Sequence, residues 1–198
     1  MKENKLKWYI ADKEYINYLK KFDDKVENIN YKDRLKPYLG ILININNMNY
    51  YVPISSAKEK HYKMNENIDF IKIMKQERLL GVLNLNNMVP IADEHIRILK
   101  YKEIDKYRKF KNNNERDLYI SFINLELKLI NDKIEKIKAS AIKLYTEKIA
   151  RPSSKISRRC CDFKLLENKC KEYKKEWKTW KNYYKKYQQT QKIPIGKI

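Results

Sequence analysis

The stretch Pro53-Ile54-Ser55-Ser56-Ala57-Lys58-Glu59-Lys60-His61 gathers two hydroxyls, two ammonium groups and an imidazole at the end of a predicted strand. Ser55 and Ser56 can donate hydrogen bonds to phosphate oxygens, and Lys58 can set a point charge beside them. Such groups suit RNA, which carries its own nucleophile in the 2′-hydroxyl. A protein need only orient that group, take its proton and neutralise the charge that builds on phosphorus. Tyr31 and Lys36, in the loop ahead of the preceding strand, would complete an anion pocket if the fold brings them near. Ser-Ser followed by charge also occurs in ordinary solvated turns, so the block alone leaves both readings open.

Other chemistries find little footing. The only histidines are His61 and His95, separated by predicted strands, and no DxD or HxxxH cluster accompanies them, so neither a metal site nor a cofactor is expected. With only Gly40, Gly81 and Gly196, no phosphate-binding loop, dinucleotide turn or serine-hydrolase elbow can be written.

The elements that would position these residues change character along the chain. Trp8 to Ala11 reads as a strand, and Asp12 can cap a helix with Ile16, Leu19 and Phe22 on one face. Leu39 to Ile43 suits a strand buried on both sides. Asn46-Asn47 then turns the chain into a returning strand, Tyr50 to Ile54, because Asn tolerates the left-handed backbone of a tight hairpin. Ile68 to Met74, Leu80 to Leu85, Met88 to Ile91 and Ile96 to Ile98 are further strand candidates. From Glu115 onward the period becomes helical: Ile120, Ile123, Leu127, Ile130, Ile134, Ile137, Ala141 and Leu144 predict one unbroken long helix.

Arg151-Pro152-Ser153-Ser154 ends that helix, and a basic loop follows. A last helix places Phe163, Leu166, Cys170, Tyr173, Trp177, Trp180, Tyr184 and Tyr187 on one stripe with lysines around it. Two matched stripes predict the last helix packed antiparallel on the long one. Core packing is the simpler reading of the aromatic stripe, and base stacking the alternative.

The 198 residues fit a single domain over 1–198, in which about 174–198 form a Lys- and aromatic-rich extension of the last helix. Lys and Arg number 45 against 25 Asp and Glu, a formal charge of +20. From Arg151 to Ile198 there are 15 basic and 4 acidic residues, more than half of that excess. Polyanions are the expected partners. No apolar run approaches the roughly 18 residues of a spanning helix and no signal peptide is written at the start, so the expected location is the cytoplasm, away from membranes. Cys160, Cys161 and Cys170 are expected to be reduced and structural.

Four blocks in order, Tyr15 to Val26, Tyr50 to His61, Leu80 to Ile91 and Cys161 to Glu167, resemble the ToxN/AbiQ toxins of type III toxin–antitoxin systems. The Pro-x-Thr/Ser-Ser-x-Lys-x-x-His pattern, Pro53 to His61 here, is the most specific of them, and the likeness runs from about Trp8 to Tyr173. It implies an α+β fold, a compact and strongly bent antiparallel sheet similar to the MazF/Kid barrel, carrying a long helix with the C-terminal helix packed on it. It also implies a metal-independent endoribonuclease that cuts A-rich RNA to 2′,3′-cyclic phosphate ends in defence against phage. Such a toxin is held by a repeated pseudoknot RNA antitoxin in a closed heteromeric complex.

On that resemblance Ser56 and Lys58 hold and activate the phosphate, Ser55 assists, and Lys36 and Tyr31 line the pocket. The resemblance gives RNA contacts to His61 and Tyr119, and the basic residues Lys60, Arg151, Lys155, Arg158 and Arg159 are further expected RNA-binding positions. Two departures stand out: Ala57 replaces a common proline, and the Tyr31 to Lys36 spacing is one residue longer than the family's. A non-catalytic basic RNA-binding protein is the rival reading, and a DNA-compacting protein a more distant one.

Overall fold

A computed structural model describes residues 5–27 and 36–190, with the side chains of residues 175, 178 and 183–190 left aside. Among the described residues eight strands pair antiparallel: β1 (Lys7–Ala11), β2 (Tyr38–Gly40), β3 (Asn44–Ile45), β4 (Met48–Ser56), β5 (Phe70–Lys75), β6 (Arg78–Asn84), β7 (Val89–Pro90) and β8 (Ile96–Ile98). The main path runs β5-β6-β4-β2-β1-β8, with β3 and β7 both on β4. Among the described residues β5 and β8 end the sheet without meeting, so the closed barrel implied by the MazF/Kid likeness is not formed.

β4 is the spine. Its first half lies between β3 and β7, and its second half between β2 and β6, ending with Ser55 opposite Val82 and Ser56 opposite Gly81. The β3–β4 hairpin turns at Asn46 and Asn47, whose φ of 52° and 59° are the left-handed pair a two-residue turn requires. The single strand expected over 39–43 is instead two pieces. β2 stops at Gly40, where a Cβ would collide with the ring of Tyr51, and β3 begins at Asn44.

Helix α1 (Lys13–Lys20) starts at Asp12, whose carboxylate accepts from Glu14 N at 2.9 Å, and it buries Tyr15, Ile16 and Leu19. A short α2 (Glu59–Lys63) follows β4 directly. The expected unbroken helix is two, α3 (Asn113–Asn131) and α4 (Ile134–Ala150). The reason is Asn131, whose side chain accepts from Leu6 N at 2.9 Å and donates to Leu6 O at 3.1 Å, tying the helix end to the start of β1. Asn and Asp compete with helical backbone bonding, and Lys133 leaves the helical region at φ −116°, ψ 18°.

α5 (Phe163–Thr190) lies mainly against α1 and β7. It meets α4 near its start, where Phe163 stacks on Tyr145 at 5.7 Å, instead of along the antiparallel length predicted from the two stripes. The buried Glu167 fastens this junction by accepting from Tyr50 at 2.9 Å, Tyr145 at 2.5 Å and Lys164 at 3.1 Å. Burial raises its carboxyl's pKa, but the hydroxyls of Tyr145 and Tyr50 and the Lys164 ammonium outweigh that and leave it below the usual range. The three cysteines are free and buried, as expected.

Candidate active site

Successive side chains of an extended strand point to opposite faces, so Ser55 and Ser56 look in different directions from the end of β4. Ser55 shares its face with Val82 and Asn84 of β6, and Asn84 Nδ2 donates to Ser55 Oγ at 3.3 Å. Over this face the segment at Glu27 and the segment at Lys36 come together. The Glu27 carboxylate takes an ion pair from Lys36, a 3.4 Å hydrogen bond from Ser55 Oγ and a 3.3 Å one from Asn87 Nδ2. An acidic group thus occupies the centre of the expected anion pocket, held by an ammonium, a hydroxyl and an amide.

Lys36 has an unusual acidity. Burial first, then the positive charges of Lys58 and Lys20, bring its ammonium from the ordinary lysine value down to about 8. That effect places Lys58 within electrostatic reach of Lys36, so the two lysines predicted from sequence serve one neighbourhood. Lys58 itself is exposed, as is Ser56.

His61 plays a part that differs from its expected RNA contact. It is only 5% exposed, its ring set against Phe70 at 5.8 Å, so it is closed to a ligand. Lys58 N donates to His61 Nδ1 at 3.2 Å and His61 N donates back to Lys58 O at 2.9 Å. Burial, followed by the charges of Lys60, Lys58 and Lys72, holds the imidazole below its usual pKa and so keeps the accepting nitrogen unprotonated. The histidine braces the backbone of Lys58.

On the other face, Gly81 stands opposite Ser56, and Glu126 of α3 fills the space a Cβ would take: that atom would lie 2.7 Å from Glu126 Oε1. Glu126 is buried, and burial pushes its carboxyl up to about 8. It is therefore predominantly protonated at neutral pH.

The remaining expected residues are spread more widely. Tyr31 lies outside the described residues. Lys60, Lys155 and Arg158 are exposed. Arg151 pairs with Glu147. Arg159 pairs with the buried Asp69 at 2.7 Å, while its carbonyl accepts from Asn86 at 3.2 Å. Asn86 precedes Asn87, so the basic loop docks one residue from the Glu27 cluster. Tyr119 packs against the main core, with the Arg108 guanidinium 4.2 Å over its ring and Phe110 at 5.7 Å. Sequence reading gave no role to Glu27, Asn84, Asn87 or Glu126. Asn84 and Asn87 lie inside a quoted block, but only the fold shows which way they face.

A family model described as toxin ToxN of the type III toxin–antitoxin system matches residues 7–171. The endoribonuclease ToxN of Bacillus thuringiensis subsp. kurstaki is 31% identical over 176 residues, covering 85% of this chain and 84% of that protein. The endoribonuclease AbiQ of Lactococcus lactis subsp. lactis is 28% identical over 179 residues, covering 86% and 91%. A solved structure of AbiQ, a lactococcal anti-phage endoribonuclease, superposes with a TM-score of 0.72 at 25% identity, over 87% of this chain and 99% of that one. A second, from work on selective toxin inhibition by a non-coding RNA pseudoknot, gives 0.72 at 27% identity, over 86% and 99%.

Proposed function

The chain belongs to the ToxN family of type III toxin–antitoxin toxins, and from that membership we propose how its residues cut RNA. It is an endoribonuclease toxin whose partner is an RNA antitoxin, as its relatives' names and the pseudoknot-inhibited neighbour support. The finer reading is metal-independent cleavage of A-rich RNA to 2′,3′-cyclic phosphate ends, with the antitoxin and toxin closing into a heteromeric complex.

The observation that carries the chemistry is the Glu27 carboxylate held by Lys36 and Ser55 beside a braced Lys58. In the proposed reaction the 2′-oxygen bonds to phosphorus while its proton passes to Glu27. The bond from phosphorus to O5′ breaks as O5′ takes a proton from Lys36. A lysine near pKa 8 is well matched to that donation near neutral pH. Ser55 and Lys58, beside Glu27 and Lys36, bind the non-bridging oxygens, whose charge grows in the transition state, and Ser56, on the other face of the strand end, holds the next phosphate along the RNA. Asn84 orients Ser55 and Asn87 orients Glu27. Tyr31, outside the described residues, is proposed to line the same pocket. Lys60, Arg158 and Lys155 supply sequence-independent attraction for the phosphate backbone.

The test compares wild type with Lys58→Ala and Ser55→Ala, in growing bacteria and on A-rich RNA in EDTA. Wild type is expected to arrest growth and leave cyclic-phosphate ends in chelator, with each variant about 10²–10³-fold slower, the usual cost of losing one such donor. Equal cleavage by folded variants would remove the assignment. RNA bound but left uncut by wild type would favour a binding protein instead.

A further inference from the structure

The family match stops at residue 171, while α5 continues to Thr190. Residues 171–190 hold seven lysines, two glutamates and six aromatic residues, all Tyr or Trp, with no Leu, Ile, Val, Met or Phe. The aromatic stripe was expected to pack in a core, and among its described side chains Phe163, Leu166, Cys170 and Tyr173 do so. Tyr173 closes on Tyr15 at 5.2 Å and on His95 at 4.9 Å. Trp177 rests edge-on against His95 at 5.4 Å and stacks on Trp180 at 5.4 Å with the rings 24° apart. Trp180 then stands 53% exposed, a flat ring backed by a second flat ring. Lys171 and Lys181 are exposed nearby, and Lys174 pairs with Glu94 at 3.3 Å.

We propose that this extension of α5 is a second RNA-contacting surface, where an unpaired base stacks on Trp180 and the surrounding lysines meet phosphates. It rests on the reading of the chain as an RNA-cutting enzyme. Aromatics interleaved with cations are the usual platform for single strands. A membrane is the other polyanion that Trp and Lys can suit, but an interfacial helix needs buried aliphatic bulk, and this segment has none. The position also separates binding from chemistry. Lys171 and Lys174 line a cleft with Asn46, Asn47 and Asp93 at the hairpin end of β4, whereas Ser55 and Ser56 end that strand. A strand of this length spans about 25–30 Å, so the surface grips RNA well away from the bond being cut.

The experiment measures anisotropy of a labelled, uncleavable 2′-O-methyl A-rich 20-mer with the full-length protein. Trp180→Ala is expected to bind about tenfold more weakly and Trp180→Phe to recover most of the loss, while Trp180→Leu, which keeps bulk without a π face, fails to. An abasic strand of equal length should not distinguish Trp180→Ala from wild type. Lys181→Ala should weaken both strands and reduce the salt slope by about one. On cleavable RNA, Trp180→Ala should raise KM with kcat unchanged. Equal affinity of wild type and folded Trp180→Ala overturns the inference. So does a Trp180→Ala effect confined to phosphatidylcholine/phosphatidylglycerol vesicles, or to self-association in sedimentation. If wild type neither binds nor cuts RNA, the functional reading fails instead.

Discussion

The carboxyl of Glu126 rests on the bare Cα of Gly81, the residue that faces Ser56 across the β4–β6 ladder. A methyl group there would lie 2.7 Å from Glu126 Oε1 and 3.2 Å from Ser55 O. Gly81→Ala is therefore expected to cost about 1–3 kcal/mol, as overpacking does. Part of that cost should disappear in a Glu126→Ala background, because one clashing partner is gone. Urea unfolding of the four-protein cycle measures the coupling, and strict additivity would show that the two residues do not press on each other.

Glu126 also sets a pH dependence. Its folded pKa of about 8 lies above that of an unfolded glutamate, so the folded state holds its proton more tightly. The resulting stability is fully present below pH 4.5 and is lost as pH rises through 8, at up to about 1.4 kcal/mol per pH unit within that window. Glu126→Gln, neutral throughout, should gain on wild type between pH 5 and 8 and run parallel outside. Parallel curves across the whole range would mean that the carboxyl is not buried in solution.

Lys36 predicts the shape of the rate profile. If its ammonium gives the proton to O5′, kcat/KM should fall about tenfold per unit above pH 8. Removing the anion beside it disfavours the charged lysine, so Glu27→Gln should move that descending limb to lower pH as well as slow the reaction. A limb that stays put in Glu27→Gln would separate Lys36 from the titration.

His61 supports Lys58 by hydrogen bonding and is shielded from solvent. His61→Ala is expected to lower kcat about tenfold while leaving the salt slope of RNA binding as it is, because no phosphate contact is lost. A slope reduced by about one would make the histidine a direct contact.

Glu167 gathers two tyrosine hydroxyls and an ammonium between β4, α4 and α5. Glu167→Ala strands buried donors and should cost about 2–4 kcal/mol in denaturant unfolding. A loss below about 0.5 kcal/mol would show that the junction is held by Phe163 and Tyr145 packing alone.

How much of this could be read in advance depended on how local the cause was. Asn46-Asn47 announced the hairpin because both residues tolerate the backbone that the turn needs, and Asp12 announced the cap of α1. The break after Asn131 was hidden: Ile130 and Ile134 keep the helical spacing across it, and what interrupts the helix is a bond to Leu6, 125 residues away. The split of the 39–43 strand was hidden likewise, since nothing in the run Leu39 to Ile43 marks where its ladder with β4 lapses. In the proposed site, Ser55, Ser56, Lys36 and Lys58 were singled out by their residue types alone. Glu27, in a polar loop, looked like any solvated acid until the fold set it among donors, and nothing local showed that His61 would be covered by Phe70.

β4 is paired at every residue from its hairpin to its last serine, by β3, β7, β2 and β6 in turn, and this makes its length matter more than most of its letters. Deleting one residue between Asn47 and Val52 would turn every later side chain over: the two serines would exchange faces, and Val52 would move from the face it shares with Tyr50 to that of Tyr51. Drift in this strand should therefore proceed by exchange of one residue for another, with frame shifts inside it purged together with the activity they would scramble.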